Sequence, residues 1–161
     1  MTRPAYVITT CGKRKHPGPA PAGQFYTGPF VARQAAAAEA LRPKHGRLIL
    51  SNKYGYMRPT TVVPGPYDSH WGYPDTMSDT NLRRQIATLT LKPGDYVICL
   101  GAREYARQTR RLFPDYVTVV WPPMHMPNKA MGYQSQMMNR WALTRSIGKC
   151  RTRCIFTPEM V

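Results

Sequence analysis

A chain of 161 residues, 42% of them hydrophobic, is long enough for one domain with a real core. None of its apolar runs approaches the roughly 18 residues that a membrane-spanning helix needs. Its formal net charge is +15, from 23 Lys and Arg against 8 Asp and Glu, and a balance this lopsided selects polyanions over cationic partners. The excess is uneven: residues 1–67 hold ten basic residues and one acid, residues 116–158 six and none, and residues 68–115 seven and six. Solubility, or a bias toward Arg, Ala and Pro, is the other source of such a composition. The N-terminal "MTRPAYVITTCGKRK" lacks the layout of a secretory leader. The expectation is therefore a cytoplasmic protein, with Cys11, Cys99, Cys150 and Cys154 as reduced thiols. Cys150 and Cys154 have loose metal spacing without a second pair, so no metal and no cofactor is expected.

In chain order, "AYVITT" (5–10) is the first predicted strand and leads into "CGKRK". The segment after it holds the densest charge in the chain, with four prolines and four glycines before residue 30. "PFVARQAAAAEALR" (29–42) predicts a helix, with Pro29 near its start and a run of alanines inside. "GRLILS" (46–51) is the second strand and opens into "NKYGYMRP", where Gly55 supplies a positive-φ turn. Residues 51–75 form a long loop with five aromatics. "SDTNLRRQIATLTL" (78–91) predicts a helix capped by Ser78 or Asp79. "DYVICLG" (95–101) and "YVTVVW" (116–121) are strands three and four, with a helix over 102–113 between them and another predicted over 132–147. Each strand is short and rich in Val, Ile and Leu, as strands buried on both faces are. Cys99 lies within strand three and reads as a small apolar residue.

Strand–helix alternation at this spacing gives βα units with parallel strands. The predicted fold is a three-layer α/β/α sandwich around a mostly parallel sheet of four or five strands. It forms a single α/β domain over residues 1–148. Residues 149–161 are a basic tail, or a short last strand at 152–158. Ligands of such sheets sit beyond the carboxyl ends of the strands. That rim collects the loops 11–24, 51–75, 101–105 and 121–134, while Asp95 and Asp115 fall at the opposite rim.

The residues on that rim carry the chemistry. Lys13, Arg14 and Lys15 are phosphate contacts or solvated charges, with Thr10 on the floor. Cys11, at a strand end beside cations, is a nucleophile or a small residue packed under its loop. Ser51 and Lys53 follow strand two, where Lys53 can hold an oxyanion. Asp68 is a general acid or base, or a pin for its loop through Lys53 or Arg58; Asp75 is the second acid. Tyr54, Tyr56, Tyr67, Trp71 and Tyr73, interleaved with cations, suit stacked or flipped bases, or pack on one another. Gly101 and Tyr105 open the third helix, whose free N–H groups favour an anion. His125 and Gln134 are further polar candidates.

"TCGKRKHPGPAPAGQFYTGPF", "LILSNKYGYMRPTTVVPGPYD" and "CLGAREYARQTRRLFP" together resemble the DUF6884 family, common in phages and bacteria and similar to YaaA-like proteins. The resemblance spans about residues 5–145. It implies a YaaA-like or uracil-DNA-glycosylase-like sandwich with a role near DNA or modified bases. Tyr54 and Tyr56 stand where the family pattern has His and Leu, which removes an obvious general base. The sequence thus points to a nucleic-acid-directed enzyme acting on a nucleotide or base, in DNA rather than RNA, by glycosidic-bond or base-modifying chemistry. Catalysis falls to Asp68, Lys53 and Cys11, and no membrane partner is expected. The alternative is a non-catalytic DNA- or protein-binding module on the same fold.

Overall fold

The computed structural model describes residues 3–122. In chain order its elements are β1 (Tyr6–Thr10), β2 (Arg14–Lys15), β3 (Ala20–Pro21), α1 (Ala22–Phe25), β4 (Tyr26–Thr27), α2 (Pro29–Leu41), β5 (Arg47–Ser51), β6 (Gly55–Met57), β7 (Val62–Val63), α3 (Asp79–Ala87), β8 (Tyr96–Cys99), α4 (Arg103–Leu112) and β9 (Thr118–Val120). The main sheet runs β6-β5-β1-β8-β9, with β5, β1, β8 and β9 parallel and β6 antiparallel at one edge. The four apolar runs of the sequence are the four parallel strands. The helix predicted over 132–147, the segment 152–158, Cys150, Cys154, His125 and Gln134 lie outside the described residues.

Helices cover both faces of the sheet, and strand alternation sorts the side chains between them. Tyr6, Ile8, Leu48, Leu50, Val97, Cys99 and Val119 face α3 and α4, in one core with Leu82, Ile86, Ala106 and Leu112. Val7 and Ile98 face the other way, against Ala37 and Ala38 of α2. Small alanine faces let α2 lie close over the centre of the sheet. Beyond α2, Ile49 and Met57 are covered by Phe25, Tyr26 and Val63. This cover is built from the two-residue pairs β2–β4 and β3–β7, which fold the Pro- and Gly-rich segment back over the sheet.

Local chemistry fixes the ends. Ser78 Oγ accepts from Asn81 N and caps α3, as its sequence predicts. Gly55 has φ 70°, and a Cβ there would lie 2.1 Å from Gln85 Oε1. Glycine therefore serves both the turn into β6 and the approach of Gln85, which accepts from Tyr56 N and donates to Tyr54 O. At the amino-terminal rim of the sheet, Asp95 is buried and accepts from Lys44 Nζ at 2.8 Å and Lys92 N at 2.9 Å. Asp115 pairs with Arg110 at 3.5 Å. Cys99 is fully buried, and burial pushes its thiol up to about 11. It is core.

Candidate functional site

The strand order contains a reversal. From β1 the chain crosses over α2 to β5 on one side, and from β5 over α3 to β8 on the other side of β1. The loops leaving β1 and β8 therefore diverge onto opposite faces and open a crevice, the usual ligand position in open α/β sheets. β1 ends at Thr10, whose N–H donates to Gln34 Oε1 at 2.7 Å. Gln34 Nε2 returns a bond to Thr10 Oγ1 at 3.1 Å. Gln34 is fully buried, so a glutamine of α2 holds the end of β1. From β8 comes Gly101, buried beneath Tyr105; a Cβ there would lie 2.3 Å from Thr10 Cγ2 and 3.0 Å from Tyr105 Cβ. Trp121 Nε1 donates to Gly101 O at 2.9 Å.

Two lobes open above this floor and share Cys11, Gly12, Lys13 and Tyr105 as their common wall. The first, about 250 Å³, is lined further by Asn52 and Tyr67, with Lys15, Asp68, Ser69 and His70 at its rim. The second, about 300 Å³, lies beside Phe30, Val31 and Pro29, with Arg14 at its edge, where α2 and α4 begin. Neither helix has a side-chain cap at that end. The first lobe is about half polar and the second mostly apolar.

Two hydrogen-bonded groups build the polar lobe. In one, Tyr105 O–H donates to Asn52 Oδ1 at 2.7 Å, and Cys11 Sγ lies 3.5 Å from the same oxygen and 3.4 Å from the phenol. In the other, Ser51 Oγ accepts from Lys53 N and Tyr54 N and lies 2.6 Å from Tyr67 OH, itself 2.7 Å from Tyr26 OH. Burial, more than any neighbour, pushes the Tyr67, Tyr105 and Tyr26 phenols above the usual tyrosine range. All three are protonated donors at neutral pH. Lys15 Nζ stands 4.6 Å and Lys53 Nζ 5.6 Å from the centre of the Tyr67 ring.

The structure thus brings Thr10, Cys11, Lys13, Arg14, Lys15, Tyr67, Asp68 and Tyr105 into one cleft. Ser51 and Tyr54 stand behind Tyr67, and Lys53 lies above its ring, tied to Asp75 at 3.6 Å. Trp71 meets Tyr105 edge-on at 5.8 Å and faces a separate groove with Arg107 and Arg110. Tyr56 is buried against Phe113 in the core and is no base platform. Asp68 is 91% exposed and pairs with His70 Nε2 at 3.5 Å, not with Lys53 or Arg58. Sequence reasoning gave no role to Asn52, Gln34 or His70. The position of Asn52, directly after a strand at the functional rim, was a usable signal, and so was that of His70, two residues beyond Asp68. Among the described residues, no cluster of three or more His, Cys, Asp or Glu could hold a metal ion.

A family model described as a family of unknown function, DUF6884, matches residues 6–140. The chain belongs to the DUF6884 family. A relative of this DUF6884 chain from Bacillus subtilis (strain 168), carrying the name uncharacterized protein YfjM, is 30% identical over 141 residues; the alignment covers 83% of this chain and 91% of that one. No solved structure matches the DUF6884 chain significantly. No helix of the described residues is long and apolar enough to cross a membrane.

Proposed function

We propose that this protein takes one nucleotide of a DNA strand into the cleft between β1 and β8 and acts on its base or glycosidic bond. The observation that carries this reading is the meeting of Lys13, Arg14 and Lys15 with a tyrosine- and amide-lined pocket at the reversal of the sheet. Each lobe alone is at or below the low end of the roughly 300–1,000 Å³ typical of small-molecule sites, whereas the two joined fall within it. The net charge of +15 supplies attraction to a polyanion, and the cations at the cleft mouth supply phosphate contacts. A YaaA-like or uracil-DNA-glycosylase-like sandwich, which the family resemblance implies, would suit the same chemistry. Asp68 and His70, paired at the rim, are the acid and base within reach of a bound ligand, and Cys11 lies at the floor. Lys53 is a second-line cation, since Asp75 already neutralises it in part.

One observation favours the binding-module reading. Asp68 and His70 are 91% and 66% exposed, so neither sits in a site closed to water. The test is paired. Binding of a fluorescent oligonucleotide should weaken steeply between about 50 and 200 mM salt, and Lys13→Ala with Lys15→Ala should flatten that slope. Undetectable binding at the lower salt removes the reading. Turnover of a nucleoside and oligonucleotide panel then separates enzyme from module. Asp68→Asn should lower turnover by roughly 10²-fold or more if Asp68 is the acid or base, with binding equal or slightly tighter. A wild type that binds DNA and turns over nothing is a binding module.

A further inference from the structure

The polar lobe has more hydrogen-bond donors than the protein can use, and the surplus can be counted. Ser51 Oγ already accepts from Lys53 N at 3.1 Å and Tyr54 N at 3.2 Å. Both its lone pairs are engaged, so its own proton goes to the tyrosine pair, with Tyr67 OH 2.6 Å away. Tyr67 and Tyr26 then share one bond at 2.7 Å, which uses one of their two phenolic protons. The other has no acceptor among the described residues. Tyr26 is only 3% exposed, whereas Tyr67 lines the lobe, so the surplus proton is best used with Tyr26 donating to Tyr67 and Tyr67 donating into the lobe.

Asn52 repeats the pattern. It is 4% exposed, and its Oδ1 is occupied by Tyr105 and Cys11. Its Nδ2 carries two protons with no acceptor among the described residues, and Asn52 lines the lobe. With no protein acceptor among the described residues, both donors are open to an acceptor that enters the lobe. Lys15 Nζ, over the Tyr67 ring and unpaired with any described acid, adds a third donor and a positive charge. The acid in the lining, Asp68, points out to solvent and is held by His70.

We propose that the polar lobe is a receptor for a terminal phosphate. Asn52 Nδ2, the Tyr67 phenol and Lys15 Nζ each meet one of the three terminal oxygens of a phosphate monoester, and the attached nucleoside extends over Cys11 and Tyr105 into the apolar lobe beside Phe30. Three donors lining one lobe match the three free oxygens of a monoester. A phosphodiester presents two, and must leave the lobe at both ends. The inference rests on the nucleotide reading above and narrows it to phosphorylated ends or free mononucleotides.

The test compares thymidine 5′-monophosphate with thymidine, and a short oligothymidylate bearing a 5′-phosphate with the same strand bearing a 5′-hydroxyl, by calorimetric titration. Each phosphate should tighten binding by about 10- to 100-fold, the scale of hydrogen bonds to a charged group. Asn52→Asp, Tyr67→Phe and Lys15→Ala should each erase most of that preference. Lys15→Ala sits at the surface and keeps the test valid if Asn52→Asp fails to fold. Preference for the mononucleotide alone identifies a free nucleotide as ligand; preference in both pairs identifies strand ends as well. Equal binding with and without phosphate overturns the inference, and so does a preference that all three variants retain. Salt-sensitive DNA binding without a phosphate preference overturns this inference and leaves the broader reading standing. Failure of every probe to bind overturns both.

Discussion

Gln34 shows how much of the cleft depends on one buried polar side chain. It satisfies both the N–H and the hydroxyl of Thr10 at the point where β1 must stop and turn. Gln34→Leu keeps the bulk but strands those groups. It should cost about 1–3 kcal/mol, the usual penalty for an unsatisfied buried donor, read from a urea unfolding curve. Gly101 makes the complementary point through space rather than bonding. A methyl group there would drive into Thr10 Cγ2, so Gly101→Ala should destabilise by about 1–3 kcal/mol through overpacking and weaken nucleotide binding along with it. Asp68→Asn, in contrast, changes an exposed group and should alter stability by no more than about 0.5 kcal/mol. A large loss of melting temperature in that variant would make Asp68 a pin for its loop.

The opposite rim separates stability from function at the level of elements. Lys44, after α2, and Lys92, before β8, both bond Asp95, and the Lys44 bond, ahead of the opposing cost of burial, holds its carboxyl below the usual range. A depressed carboxyl stabilises the fold above its unfolded value, near 3.9, and that contribution fades as pH falls through the lower folded value. Asp79, bonded by Arg111, shifts in the same direction. Melting temperature should therefore drop below about pH 4, and less steeply in Lys44→Ala. Equal slopes in the two proteins would show that the pair contributes nothing. The elements legible in the sequence were those with a period: four apolar strands and the helices at 29–42, 78–91 and 102–113 all appear, within a few residues of their predicted bounds. The pairs β2–β4 and β3–β7 were not legible, because two residues cannot display a period and proline and glycine signal only a loop. β6 was hidden in an aromatic stretch that read as loop. In the site, strand ends gave Thr10, Cys11 and Tyr105, but nothing local told that Asn52 would face Tyr105, some fifty residues away, or that Lys53 would choose Asp75 over Asp68.

Among the described residues, Asp95 and Asp115 lie at one rim of the sheet and the cations Lys13, Arg14 and Lys15 at the other. Asp95 and Asp115 close the amino-terminal edge with ion pairs, while Lys13, Arg14 and Lys15 stand at the carboxyl-terminal edge without an ion pair to any described acid. The reversal between β1 and β8 puts the cleft beside those cations. The most direct test is a crystal structure of the protein with a short single-stranded oligonucleotide bearing a 5′-phosphate. The account predicts one nucleotide inside the two-lobed cleft, its phosphate near Lys15 and Asn52 and its ring beside Phe30. A nucleotide ordered on another surface, such as the Arg107–Arg110 groove, with the cleft empty, would contradict it.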